Sequence, residues 1–133
     1  MSMAASRSDP VLGRAFGGVV LRSDHMPGPA SYDADGQRYV FIAAATDAAA
    51  YALDVETVKT RPPDAVAALF ERSGETRPFF HAWTELEVIA KISNMPCHVL
   101  LRDGCALARA GRQVTVLRCD GPAHWIAVGR KAA

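Results

Sequence analysis

The sequence predicts an α+β domain: an antiparallel sheet with two main helices packed on it. Three observations lead there. Short runs rich in branched and aromatic side chains open and close the chain, bounded by glycine, proline or aspartate turns. Between them lie two stretches, each preceded by proline, with apolar residues at helical spacing. The elements therefore come as strands, then helices, then strands.

Taken in order, residues 1–10 read as a disordered tail and 11–133 as one domain. Residues 16–21 form a first expected strand, weakened by Gly17 and Gly18. Residues 26–37, with Pro27, Gly28, Pro29 and Gly36, read as a long loop. Residues 38–45 resume as a strand through Tyr39, Val40, Phe41 and Ile42. A turn at Thr46 and Asp47 leads into a strand over 50–56, so the two strands read as a hairpin. Pro62, Pro63 and Asp64 start a helix that carries Val66, Leu69 and Phe70 on one face through about Arg72. A second helix runs from Phe79 to Lys91, with Phe79, Phe80, Trp83, Leu86 and Ala90 in helical register. Asn94, Met95 and Pro96 end it, because proline cannot continue the hydrogen-bond ladder. The remainder reads as a β meander, with strands over 97–101, 105–109, 113–118 and 124–128.

Composition excludes several classes of partner. A chain of 133 residues with a formal charge of +1 gives no reason to expect nucleic acid or a membrane surface. No stretch approaches the roughly 18 apolar residues of a membrane span. Met1 to Asp9 lacks the apolar core of a secretory signal. Cys97, Cys105 and Cys119 form no C-x-x-C pair and are odd in number, which speaks against a disulfide framework or a zinc site. Buried thiols in a reducing cytoplasm are the expectation.

Asp54 and Glu56 are two apart, so on a strand they project from one face. Two carboxylates side by side repel each other, and a hard divalent cation such as magnesium offsets that repulsion. A bare D-x-E by itself is more simply a solvated strand end with two unrelated acids. Glu87 and Lys91 lie i, i+4 on the second helix, with Trp83 one turn earlier. They fit either a surface ion pair of about 0.3–0.5 kcal/mol or a carboxylate aimed at a metal beside an ammonium aimed at a phosphate. His81, His98 and His124 fall in expected helix or strand, where packing or surface exposure is the simpler reading.

In combination these motifs resemble a family. A D-x-E strand end, a proline-led helix and then F-F-x-x-W-[ST]-x-x-E-x-x-x-K is similar to the 4′-phosphopantetheinyl transferases. The resemblance is to the C-terminal half of the large, synthetase-activating type. Leu53 to Thr60 carries the strand end, Phe79 to Lys91 the helix, and His124 to Val128 the closing strand, so about Tyr39 to Gly129 is covered. The resemblance implies a transferase-like half-domain and magnesium held by Asp54, Glu56 and Glu87 against the pyrophosphate of coenzyme A. Lys91 would neutralise those phosphates, and Glu87 would take the proton of a serine on an acyl or peptidyl carrier protein. The family's 3′-phosphate-gripping turn has its nearest counterpart at Ser23, Asp24 and His25, which makes His25 the candidate cofactor ligand. A half-length chain implies a homo-oligomer, or a partner subunit that completes the site. The implied setting is cytoplasmic fatty-acid, polyketide or peptide biosynthesis. The alternative reading is a non-catalytic relative, an accessory or carrier-protein-binding subunit.

Overall fold

The computed structural model describes residues 10–44, 49–58 and 61–132. Residues 1–9 of the expected tail and the expected turn at Thr46 and Asp47 lie outside the described residues, as do Lys59 and Thr60. Among the described residues the fold is α+β, with two antiparallel sheets and four helices. Strands β1 (Val11–Ala15), β2 (Gly18–Arg22), β3 (Ala30–Tyr32) and β4 (Arg38–Ile42) form the first sheet, in the order β1-β2-β4-β3. Strands β5 (Tyr51–Thr57), β6 (Val114–Arg118) and β7 (His124–Lys131) form the second, in the order β5-β7-β6.

Strand alternation sets the layers. Val20, Tyr39 and Phe41 from the first sheet meet Leu53, Val55, Ile126 and Val128 from the second in one buried core. The opposite face of the second sheet presents Ala52, Ala127 and Val116 to Val88 and Ile92 of helix α2 (Phe79–Ser93). On its far side α2 turns Leu86 and Ala90 toward Leu100, Ala106 and Ala110. Those residues belong to α3 (Cys97–Arg102) and α4 (Gly104–Arg112). Helix α1 (Asp64–Arg72) joins through Phe70, which packs on Phe79, itself stacked on Trp83. Helix α2 is thus apolar on two sides because it lies between a sheet and two helices.

Gly129 sets how closely α2 approaches. A Cβ there would lie 3.1 Å from Val88 Cβ and from Ile92 Cδ1, and 3.2 Å from Val114 Cγ1. Arg118 on β6 fixes the other end of α2. Its guanidinium donates to His81 O at 2.8 Å, Thr84 Oγ1 at 3.1 Å and Glu85 Oε2 at 3.0 Å, and it grips Asp120 from the same position. Asn94 then ends the helix in the left-handed conformation, with φ 55°.

Several expectations are corrected. The segments 97–101 and 105–109 are helices α3 and α4, so there are four helices, not two. Pro96 precedes the first of these. Asp103, expected in a turn, caps the second by accepting from Cys105 N and Ala106 N at 3.0 and 3.1 Å. The sheet is split in two, and strands β4 and β5 belong to different sheets instead of forming a hairpin. The first expected strand contains a reversal, because Phe16 and Gly17 have φ 53° and 76° and form a two-residue hairpin turn between β1 and β2. The expected loop over 26–37 contains β3, and its start is pinned where Arg38 Nη1 donates to Ser23 O and Met26 O. Of the three thiols, all free, Cys105 is exposed on α4.

Candidate functional site

Asp54 lies in the middle of β5, paired with Ala127, on the face that α2 covers. Its position buries the carboxylate: the side chain is 7% exposed. Glu56 follows on the same face, opposite Trp125, and is half-buried. Glu87 and Lys91 descend the facing side of α2, and the close approach at Gly129 brings that side down to β5. The four residues come from two elements separated by the α1 region, and they form one electrostatically coupled cluster.

Lys91 reaches into the cluster from the last turn of α2. Its Nζ donates to Leu53 O at 2.6 Å and stands 3.7 Å from Asp54 Oδ1. The other Asp54 oxygen, Oδ2, is buried and has no hydrogen-bond partner. Burial pushes the Asp54 carboxyl well above its ordinary range; the Glu56 and Glu87 charges add to this and Lys91 opposes it. Glu56 is raised to about 7, by burial first and then by Glu87, again against Lys91. One ammonium does not balance three carboxylates gathered in a poorly solvated place.

Cys97, at the start of α3, joins this cluster. Burial is the main reason its thiol is raised to about 12, and the Glu87 charge and a hydrogen bond to Glu87 add to it. Glu87, Lys91 and Cys97 line an open depression of about 490 Å³ with Asn94 and Met95. A second depression of about 480 Å³ follows the Glu85, Leu86 and Ile89 side of α2 and touches none of the four predicted residues. Among the described residues, no group of three or more carboxylate, thiol or imidazole side chains is arranged to hold a metal ion as the cluster stands.

The remaining histidines separate clearly. His25 is exposed in the segment after β2, where its backbone N–H faces Ser23 Oγ at 3.4 Å, and it is not among the groups that couple to Asp54 or Glu56. His98 is exposed, and His81 packs edge-on against Trp125. His124 belongs to a polar contact between the two sheets that sequence spacing gave no means of finding, since its partners lie some ninety residues earlier. Its Nε2 is 3.1 Å from Asp33 Oδ2 and from Tyr39 Oη, and Tyr39 donates to the same Asp33 oxygen at 2.9 Å. Burial opposes ionisation of Asp33, but bonds from Tyr39, Gln37, His124 and Asp35 hold its carboxyl below the ordinary range. The same burial and the Asp33 charge raise Tyr39 to about 12. These groups satisfy one another and read as a structural tie. The role of Cys97 was likewise hidden, because a strand over 97–101 gave no reason to place it beside Glu87.

Compared with protein-family models, with curated proteins and with solved structures, the chain matches none, so its function must be argued from the cluster itself.

Proposed function

We propose that this protein transfers 4′-phosphopantetheine from coenzyme A to a serine of an acyl or peptidyl carrier protein in a magnesium-dependent reaction. The observation that carries the reading is the convergence of Asp54, Glu56, Glu87 and Lys91, the residues that the family resemblance singles out, in one coupled cluster. The donor set suits magnesium. Fully ionised, three carboxylates and one ammonium carry a formal charge of −2, the complement of a divalent cation, and hard oxygen donors are what that ion takes. The unpartnered, buried Asp54 Oδ2 is an acceptor in want of a cation. Asp54, Glu56 and Glu87 would hold the ion. Bound there, it would supply positive charge against the pyrophosphate of coenzyme A.

The chain's own groups account for the rest. Lys91, on a flexible stem at the rim of the depression, neutralises phosphate charge that builds up as the leaving group departs. Glu87 accepts the serine proton as the serine oxygen bonds to the phosphorus next to the pantetheine arm. The bond from that phosphorus to adenosine 3′,5′-bisphosphate breaks in the same displacement. The half-domain reading and the need for a second copy, or a partner subunit, to embrace the rest of coenzyme A belong to the same proposal.

The position of His25 favours a second reading. It is exposed in the segment after β2, and the hydrogen bond it makes among the described residues runs from its backbone N–H to Ser23 Oγ. That suits a non-catalytic relative that binds a carrier protein. One assay separates the two: incubation with coenzyme A, magnesium and an apo carrier protein, followed by intact mass of the carrier. Transfer adds the phosphopantetheine arm. Glu87→Ala lowers the rate by about 100-fold or more, the scale of losing a general base, and Asp54→Ala abolishes magnesium-dependent turnover, both with unchanged circular dichroism. No mass gain on any carrier, with no coenzyme A binding by calorimetry, rules out the transferase.

A further inference from the structure

We propose that Lys91 is a built-in counter-ion that a divalent cation must displace, so that arrival of the metal frees the ammonium for the phosphates. This rests on the metal-site reading above and concerns how that site is regulated. The geometry is specific. Lys91 Nζ donates to a backbone carbonyl, Leu53 O, at 2.6 Å, and from there pairs with Asp54 Oδ1 at the longer distance of 3.7 Å. In that position its charge opposes the mutual repulsion of Asp54, Glu56 and Glu87. It also stands where a cation shared by those carboxylates would be repelled by it. The ammonium does only part of a cation's work, since Asp54 Oδ2 stays buried without a partner.

The side chain is also free to leave. Lys91 is 38% exposed, against 7% for Asp54, and borders the open depression beside Glu87. Rotation about its stem would move the ammonium from Leu53 O into that depression without disturbing α2. Asp54, Glu56 and Glu87 would then hold the metal, and the displaced lysine would be free to meet whatever anion enters from the depression. A site of this kind stays closed to phosphate ligands until the metal is present, because Lys91 is otherwise engaged.

The test uses the whole protein, freed of metal and titrated with Mg²⁺ alone by calorimetry at pH 8. Lys91→Met removes the resident charge, and Mg²⁺ then binds about tenfold more tightly than to wild type, equivalent to ~1.4 kcal/mol. A lysine that served as a ligand-side support or a structural brace would give the opposite result. Equal or weaker binding to the variant overturns the displacement proposal and leaves the metal site standing. If neither protein binds Mg²⁺, both this inference and the magnesium-dependent reading fall. A second measurement does not depend on the variant's folding. Acylation of Lys91 in wild type, followed by peptide mass analysis, accelerates several-fold when Mg²⁺ is added. An unchanged rate means the ammonium has not moved and overturns the proposal.

Discussion

Replacing Glu56 by glutamine stabilises the metal-free protein at pH 8 and leaves its stability unchanged near pH 4.5. The reason is the raised carboxyl: burial, then Glu87, lifts it from 4.5 to about 7 against the pull of Lys91. A carboxyl with a folded value above its unfolded value holds its proton more tightly in the native state, so ionising it favours unfolding. The contribution of Glu56 to stability is therefore fully present below pH 4.5. It declines as pH rises from there and is lost above about 7. At ~1.4 kcal/mol per pH unit, the interval from 4.5 to about 7 corresponds to about 3.4 kcal/mol. Screening at a half-buried side chain reduces this to about 2 kcal/mol. Asp54 shifts in the same direction and is coupled to Glu56, so the substitution also relieves Asp54. Asp33, Asp120 and Glu75 are shifted downward and lose stability in acid, so the informative quantity is variant minus wild type at each pH, not either curve alone. Urea unfolding in chelator at pH 4.5, 6, 7 and 8 gives that difference. It should grow from zero to about 2 kcal/mol in favour of the variant. A variant as stable as wild type at pH 8, or less so, refutes the account of Glu56 as a strained carboxylate.

Two further outcomes follow from the packing. Gly129→Val forces α2 away from β7, because the new side chain begins 3.1 Å from Val88 Cβ and Ile92 Cδ1. Thermal unfolding should show a loss of about 1–3 kcal/mol, and magnesium binding should weaken as Glu87 draws back from β5. Asp103→Ala removes the cap of α4 and should cost about 1 kcal/mol in urea unfolding; no loss would count against a helix beginning at Gly104.

Much of the cluster was legible because its signals are local. The same-face spacing of Asp54 and Glu56 needs only a strand, and that of Glu87 and Lys91 needs only a helix; both elements formed where expected. Helix α1, with prolines ahead of Asp64, was equally readable, and so were β6 and β7. The errors arose where short-range signals were ambiguous. Cys97 to Arg102 has the branched, apolar look of a strand, yet Leu100, Ala106 and Ala110 align at helical spacing toward Leu86 and Ala90 once α2 is present to receive them. Asp103 serves turn and helix cap alike, and only its partners at Cys105 and Ala106 decide between them. The division into two sheets is invisible along the chain, because it depends on β5 choosing β7 over β4, a pairing set by distant side chains. The burial of Asp54 and the anchoring of Lys91 on Leu53 O follow from that choice and share its illegibility.

The position of β7 at the centre of the second sheet has a consequence for assembly. Strand β5 finds its hydrogen-bonding neighbour only in residues 124–131, after all four helices, so its sheet closes by a long-range step. The first sheet, built from Val11 to Ile42 by near neighbours, needs no such step. During synthesis the first sheet can form early, while β5 waits without its strand partner and with its two acids still in water. Loop closure of this kind slows folding and lengthens exposure of the bare edge. Asp54 and Glu56 then help, since charges on a waiting strand discourage it from pairing with another chain. The same two carboxylates that strain the finished protein guard the unfinished one.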